Sequence, residues 1–284
     1  MNTKSTLTLV TAAALCQSAS AATILATNFD ATTPGSFADA AVINAGGATT
    51  DDLTVGAGNA GAATPNNGGT TGVDVVTESV GDNALHLTKS IDQFVADGRP
   101  FVFADIAGVS TDATGDNLLS ADFSYTRLSS GGGEPLFQFL INTAGALNAG
   151  LSQTIIQVEI ANGILRYRDG NANTLAGLTL DPDVEYLIDI DIDFSDATQD
   201  TWSLEVATAA NPGTLLVDVD GIDTRVANAE PGIVLWKGGA NPGANFPTAF
   251  AAIDDIDFQS AAIPEPATLA LAAAGLLLAA GRRR

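Results

Sequence analysis

Residues 186–194 alternate strictly between apolar and acidic side chains, and this pattern constrains the fold more than any other feature of the chain. Apolar residues occupy every second position from Tyr186 to Phe194, and aspartates at 189, 191 and 193 lie between them. A period of two places the apolar side chains on one face of a β-strand and the carboxylates on the other. The pattern predicts a half-buried antiparallel strand and excludes a helix.

Eleven further segments combine β-branched or aromatic residues with turn signals at their ends. They are 23–29, 84–89, 101–106, 118–127, 136–142, 155–160, 164–168, 201–208, 214–219, 233–236 and 250–258. Asn162-Gly163 and Asp220-Gly221 are favoured hairpin dipeptides, and each is predicted to join two strands. We expect an all-β fold, a single jelly-roll-type antiparallel β-sandwich. Residues 44–72, rich in Gly, Ala, Asn and Thr, are predicted to form one long loop within it.

The charge of the chain excludes several classes of protein. Between residues 22 and 262 lie 32 of the 33 acidic residues and 7 of the 11 basic ones, which gives this segment a net charge of about −25. A nucleic-acid binder needs a basic patch, so we expect no nucleic-acid partner. One Cys and one His exclude a disulfide framework and a multi-Cys or His-cluster metal site.

The N-terminus has the three parts of a secretory signal peptide. Lys4 gives it a positive charge, and Leu7 to Leu15 form a short apolar run. The small residues Ala19 and Ala21 then form the pattern that signal peptidase cleaves, here before Ala22. Residues 1–21, which include the single cysteine, are therefore predicted to be removed on export. Residues 22–262 are predicted to form the exported domain.

The C-terminus has three parts in a fixed order. Pro264-Glu265-Pro266 ends any strand that arrives from the domain, fourteen uncharged residues follow at 267–280, and Arg282, Arg283 and Arg284 come last. A helix of that length spans about 21 Å and crosses a bilayer only if the arginines snorkel and the bilayer thins. Because arginines stay on the cytoplasmic side, residues 22–262 are expected outside the inner membrane.

This tail, residues 263–284, resembles the PEP-CTERM sorting signal of Gram-negative bacteria. The resemblance implies that an exosortase recognises the tail in the inner membrane and removes it near residues 264–266. The domain would then reach the cell surface or the extracellular matrix of a bacterium that produces exopolysaccharide. PEP-CTERM passengers vary widely, so the resemblance implies a destination and no activity.

The order of the predicted strands resembles that of concanavalin A-like lectin and laminin-G-like sandwiches. The resemblance covers most of residues 23–260, and it depends on Phe29-Asp30 and on the segments 163–170 and 253–258. Lectins, glucanases and structural modules share this fold, so the resemblance does not choose among them.

One carboxylate in the last predicted strand is a candidate metal ligand. Strict alternation would place Asp254 on the core face with Ile256 and Phe258, where a carboxylate must be paired or bound to a metal. Two interpretations remain open. Asp254 and Asp30, with backbone carbonyls, hold a structural Ca²⁺, or Asp254 is a hydrogen-bonded carboxyl at the sandwich edge. No other cofactor is expected.

Glycan binding would require exposed aromatic rings, and Trp236 and Tyr167 are the candidates. Trp236 directly precedes a Gly-rich segment, where a place in the core is the alternative, and Tyr167 lies between two arginines beside a loop. The chain has no nucleophile elbow and no Glu-x-Asp-x-x-Glu glucanase pattern, so no catalytic residue is predicted.

Three hypotheses for the domain follow. The first is a non-catalytic, surface-sorted protein of the exopolysaccharide or cell-envelope matrix. The second is a lectin-like module that binds glycan through Trp236 or Tyr167, and the third is a polysaccharide-active hydrolase. The aromatic and acidic side chains that share one exposed sheet face would distinguish them.

Overall fold

The computed structural model describes residues 22–37, 41–43, 53–57, 73–80, 82–89, 100–106, 118–128, 136–143, 153–194, 199–227, 229–238 and 246–261. Among these residues, no helix has the length and apolar character needed to cross a bilayer. The predicted signal peptide at 1–21, with Ala19 and Ala21, lies outside them. So does the predicted tail at 263–284, with Pro264, Glu265, Pro266 and the three arginines.

The described backbone is made of β-strands. They are β1 (Ala22–Thr27), β2 (Gly35–Ser36), β3 (Val42–Ile43), β4 (Leu53–Ala57), β5 (Val73–Ser79), β6 (Asp82–Lys89), β7 (Pro100–Asp105), β8 (Leu118–Arg127), β9 (Leu136–Thr143), β10 (Thr154–Ala161), β11 (Ile164–Asp169), β12 (Ala172–Thr179), β13 (Glu185–Asp193), β14 (Thr201–Thr208), β15 (Asn211–Asp223), β16 (Pro231–Gly238) and β17 (Phe246–Ala261). Each of the twelve predicted strands is present, and β8 and β14 have the predicted bounds.

Two antiparallel sheets form a sandwich, which confirms the predicted fold class. Sheet A has the strand order β15-β14-β13-β8-β17-β6-β5-β2, with β1 also beside β17. Sheet B has the order β12-β11-β10-β9-β16-β7-β4-β3. The alternation at 186–194 forms β13, in which the apolar side chains are buried and Asp191 is exposed.

The long loop predicted at 44–72 is wrong for Leu53–Ala57, which is β4. This strand pairs with β7 through Thr54 opposite Phe103 and Val55 opposite Val102, and Leu53 is fully buried. Pairing with β7 and the burial of Leu53 stabilise an extended strand here, although the composition of the segment favours a loop.

The two predicted hairpin turns have different outcomes. Asn162 and Gly163 adopt φ values of 54° and 70° between β10 and β11, as a two-residue hairpin requires. A side chain at Gly163 would also collide with Arg127. The second hairpin is wrong because Asp220-Gly221 lies inside β15. Gly221 has a φ of 66° at a register shift against β14, which is a β-bulge.

An aromatic cluster between the sheets forms the centre of the core. Phe123 of β8 and Phe258 of β17 come from sheet A, and Phe139 of β9 and Trp236 of β16 come from sheet B. Ring centroids lie 5.0 Å apart for Phe123 and Phe139 and 5.5 Å apart for Phe139 and Trp236. Since these rings occupy the inward positions of their strands, the side chains next to them in sequence lie on the outer faces of the two sheets.

The two ends of the sandwich lie side by side. β1 pairs with β17, with Ala22 opposite Ser260. β17 also pairs with β8 along its other edge and with β6 farther along the strand. The last strand of the domain is thus an interior strand of sheet A.

Candidate functional site

The outer faces of the two sheets differ in the sign of their charge. Outward side chains of β13 are mainly carboxylates, and the neighbouring strands add Glu205 of β14 and Asp122 of β8. Four of the seven basic residues between 22 and 262 lie on or against the outer face of sheet B.

Five carboxylates cross the outer face of sheet A in one row, one from each of five neighbouring strands. We call this row the carboxylate ladder. In order, each directly opposite the next, its members are Asp218 of β15, Glu205 of β14, Asp189 of β13, Asp122 of β8 and Asp257 of β17. Opposite residues have Cβ atoms about 4.5–5.5 Å apart, where like charges destabilise the sheet.

Repulsion along the ladder is relieved by a shared proton. Burial raises the pKa of Asp122 to about 7, and its hydrogen bond to Asp189 and the charges of Asp189, Asp191 and Asp257 act in the same direction. Burial also raises the pKa of Asp189. Below about pH 7 the Asp122–Asp189 pair therefore retains a proton, which the two carboxyl groups share through their hydrogen bond.

Asp254 lies on this outer face, so its predicted place in the core is wrong. Ile253 and Ile256 are each 1% exposed and face inward. Between them Asp255 has a φ of 48°, and the register with β8 shifts between Asp254 and Asp257. This β-bulge adds one residue and reverses the alternation that the prediction assumed.

The surroundings of Asp254 are acidic. Burial raises its pKa to about 8, opposed by the N–H of Asp255, which donates to Asp254 Oδ1 at 2.8 Å, and reinforced by the charges of Asp255, Asp82 and Asp30. Asp30 accepts a hydrogen bond from the backbone of Asn83. In the described part of the chain, no three His, Cys, Asp or Glu side chains are arranged to hold a metal ion. Calcium at Asp254 and Asp30 stays a prediction.

The outer face of sheet B has a cationic half. Arg166 and Arg168 project from β11 onto this face, and Arg225, in the turn after β15, packs against β10. Arg225 is 9% exposed, and its backbone N–H donates to the Ile155 carbonyl at 2.9 Å. This backbone hydrogen bond fixes the position of the turn against the sheet.

A chain of hydrogen bonds links Arg225 to the centre of the face. Arg225 Nη1 donates to Gln157 Oε1 at 2.6 Å. Gln157 Nε2 and Gln138 Nε2 both donate to Glu159 Oε1, the second at 2.8 Å. The Glu159 carboxylate is therefore held by two neutral amides of β9 and β10.

The other half of this face is apolar. Phe101 and Phe103 of β7 have ring centroids 6.0 Å apart, and they pack with Leu235 of β16 and Leu140 of β9. Lys237 extends its ammonium group over the Phe101 ring, 5.8 Å from the centroid. Phe101 is 3% exposed and Leu235 is fully buried, so Phe103 is the partly exposed ring of this half.

Neither aromatic residue predicted for glycan binding lies on this face. Trp236 is fully buried, and Tyr167 is 9% exposed and packs edge-on against Trp202. A sugar cannot stack on a ring enclosed between the sheets, so the glycan-binding role is wrong for both residues, and the alternative place of Trp236 in the core is confirmed. Alternation along β11 turns Tyr167 inward and the flanking Arg166 and Arg168 outward. That alternation is the signal in the sequence from which the outward position of the two arginines follows.

Comparison with protein families assigns the tail. Residues 262–284 match the family model of the PEP-CTERM protein-sorting motif. The chain carries a PEP-CTERM sorting motif. The motif marks an exported protein that is anchored in the membrane before an exosortase processes it, and it confirms the resemblance seen in the sequence. It covers the tail alone and leaves the role of the sandwich open. A sequence search among curated proteins finds no match.

Comparison with solved structures concerns the sandwich. A marine alginate lyase from Aplysia kurodai matches 66% of this chain and 87% of its own, with a TM-score of 0.50 and 11% identity. Winged bean acidic lectin matches 84% of this chain and 98% of its own, with a TM-score of 0.48 and 12% identity. At 11% identity the match to the alginate lyase shows a shared sandwich fold and assigns no ligand.

Proposed function

We propose that the mature protein is a non-catalytic component of the polysaccharide matrix at the surface of a Gram-negative bacterium. One observation carries the proposal, namely that the first and last described strands of the sandwich lie directly beside the two sorting signals. β1 begins at Ala22, the first residue after the predicted signal-peptidase site, and β17 ends at Ala261, beside the motif at 262–284. After both cleavages a folded domain remains, with both of its sheets and its core intact.

The outer face of sheet B supports contact with polysaccharide. Aromatic rings beside hydrogen-bonding amides and cations are the groups from which sugar sites are assembled. The same observation favours the second candidate, a lectin-like module. The two differ in affinity, because a matrix protein needs only weak contacts repeated along a polymer.

Three features support a role without catalysis. The single histidine, His86, lies on β6 of sheet A, with Nε2 2.8 Å from Glu78 Oε1. The three tyrosines are all buried between the sheets. The paired carboxylates Asp122 and Asp189 are hydrogen-bonded to each other, whereas the two carboxyl groups of a retaining glycosidase lie about 5–5.5 Å apart around the sugar.

Deletion of residues 263–284 tests the sorting route. We expect the truncated protein in the periplasm or medium, because the membrane-competent segment is gone. The full chain should be processed and found with the surface polysaccharide. As a control, Ala at 264–266 keeps the apolar segment, so uncleaved precursor should accumulate in the membrane. A truncated protein that remains in the membrane fraction would contradict the route.

The role in the matrix is tested on residues 22–262, which contain every described strand. Sedimentation with the exopolysaccharide of the producing strain should retain the protein, with no release of reducing ends. Polysaccharide cleavage would contradict the non-catalytic role, and absence from the polysaccharide pellet would contradict the matrix role.

A further inference from the structure

Three guanidinium groups gather on one half of the outer face of sheet B. Arg166 and Arg168 are two residues apart on β11, so their side chains project from the same face. Arg225 is held against β10 by its backbone bond to Ile155 and its side-chain bond to Gln157. Like charges are thus brought together by the fold rather than kept apart.

One carboxylate, Glu159, lies directly opposite Arg166, and it faces three guanidinium groups. The one ion pair found among the described residues is His86 with Glu78, on sheet A. The Glu159 carboxylate accepts its hydrogen bonds from two glutamine amides. The buried Nε atoms of Arg166, Arg168 and Arg225 have no hydrogen-bond partner.

One carboxylate only partly compensates three largely buried cations, and burial of uncompensated charge is unfavourable. Burial, reinforced by the charge of Arg168, lowers the pKa of Arg225, and Glu159 opposes this. An arginine nevertheless stays protonated at any physiological pH. The neighbourhood therefore holds an excess of positive charge that a bound anion would neutralise.

We infer that this half of the face binds the carboxylate groups of an acidic polysaccharide, a ligand class that rests on the matrix function proposed above. Guanidinium groups bind planar carboxylates through two parallel N–H···O bonds. Phe103, the one partly buried ring of the apolar half, offers surface for the non-polar face of a sugar ring.

The charge of the remaining surface supports the same ligand. The carboxylate ladder covers the opposite side of the sandwich, and residues 22–262 carry about −25 overall. A polyanion is therefore repelled from most of the molecule and attracted to one place. That arrangement aligns the chain with the polymer and selects against binding on sheet A.

Affinity electrophoresis of residues 22–262 in gels that contain polygalacturonate, neutral dextran or dextran sulfate tests the inference. We expect retardation by polygalacturonate that falls at least tenfold in apparent affinity in Arg168→Gln. Arg225→Gln should act similarly, and Arg225→Lys should recover part of the loss, since it restores charge without the planar fork. Lys89→Gln, on β6 of sheet A, removes an equal charge elsewhere and should change affinity less than twofold.

Circular dichroism melting of each variant separates lost binding from lost folding, and Arg168 has no side-chain hydrogen bond among the described residues whose loss would unfold the protein. Retention by polygalacturonate that is unchanged in both Arg168→Gln and Arg225→Gln would overturn the inference. So would equal retardation by dextran sulfate, because the site would then respond to charge alone. Retention by neutral dextran alone would overturn the inference and leave the matrix function standing. No retention by any glycan, including the native polysaccharide, would overturn both.

Discussion

The outer faces of sheet A and sheet B handle charge in opposite ways. On sheet A, acids lie directly opposite one another across five strands, and a shared proton between Asp122 and Asp189 limits their repulsion. On sheet B, cations lie beside amides and aromatic rings and are largely buried. Excess charge of one sign on an exposed face keeps a protein soluble, whereas clustered, largely buried cations are the basis of the anion site inferred above.

This difference shows that net charge and the local distribution of charge predict different behaviour towards a polyanion. The net charge of −22 sets the long-range electrostatic field of the molecule, and it predicts repulsion of every polyanion. The distribution of seven basic residues, four of them on one face, predicts a local exception. Where the charges lie therefore matters more for function than their sum.

Loss of the common core would break the comparison most completely, since both faces depend on it. Trp236→Ala removes the largest fully buried side chain. We expect the free energy of unfolding to fall by about 3–5 kcal/mol, measured by urea denaturation followed by circular dichroism. Phe103→Ala, at a partly buried ring on the outer face, is the control and should cost clearly less. Equal losses would contradict the assignment of Trp236 to the core.

The acidic face predicts a protein that is more stable in mild acid than at neutral pH. The pKa values of Asp122 and Asp254 are raised from 3.8 to about 7 and about 8. Between pH 4 and 8 the folded state therefore binds more protons than the unfolded state, and the free energy of unfolding falls as pH rises. We expect a fall of about 1–2 kcal/mol, because solvent screens these half-exposed groups.

Urea denaturation between about pH 4.5 and 8.5 measures this slope. Asp122→Asn should flatten it. Asp181→Asn, an exposed acid in the turn before β13, should leave it unchanged. A free energy of unfolding that rises over the same pH range would contradict the raised pKa values of Asp122 and Asp254 in the folded state.

The smallest expected effect concerns one position in the ladder. Glu205 lies between Asp189 and Asp218, and burial together with these charges raises its pKa. Glu205→Gln should raise the free energy of unfolding by a few tenths of a kcal/mol, and more at low salt, where repulsion is less screened. Glu185→Gln, at the start of β13 opposite Thr126, is the matched control. A Glu205→Gln protein less stable than this control would contradict like-charge repulsion at that position.

Local pattern in the sequence was sufficient for the strands but not for the faces. The period of two at 186–194 identified β13. The dipeptide Asn162-Gly163 identified the hairpin between β10 and β11. The same period failed at Asp254, because the positive φ of Asp255 inserts a residue that no alternation reveals. It failed in another way at Asp220-Gly221, where a glycine suited to a turn serves a bulge inside β15.

The candidate site depended on information that the sequence does not contain. Alternation shows that Arg166 and Arg168 share a face, but not which strands lie beside β11. Gln138 and Glu159 become neighbours only through the register of β9 and β10. Arg225 joins them from a turn 57 residues beyond Arg168. The ladder likewise requires four registers at once, and no single strand of it indicates the row.

The pairing of β17 in the interior of sheet A has a consequence for the timing of folding. Sheet A takes β17 between β8 and β6, so the sheet stays in two pieces until residues 246–261 have been synthesised. Contacts between strands so distant in sequence form slowly, and the incomplete chain cannot close its core. A polypeptide that must cross a membrane through a narrow channel has to remain unfolded until it has passed. Because β17 is synthesised last and lies inside sheet A, we expect the domain to stay unfolded, and therefore competent for translocation, until residues 246–261 have been made.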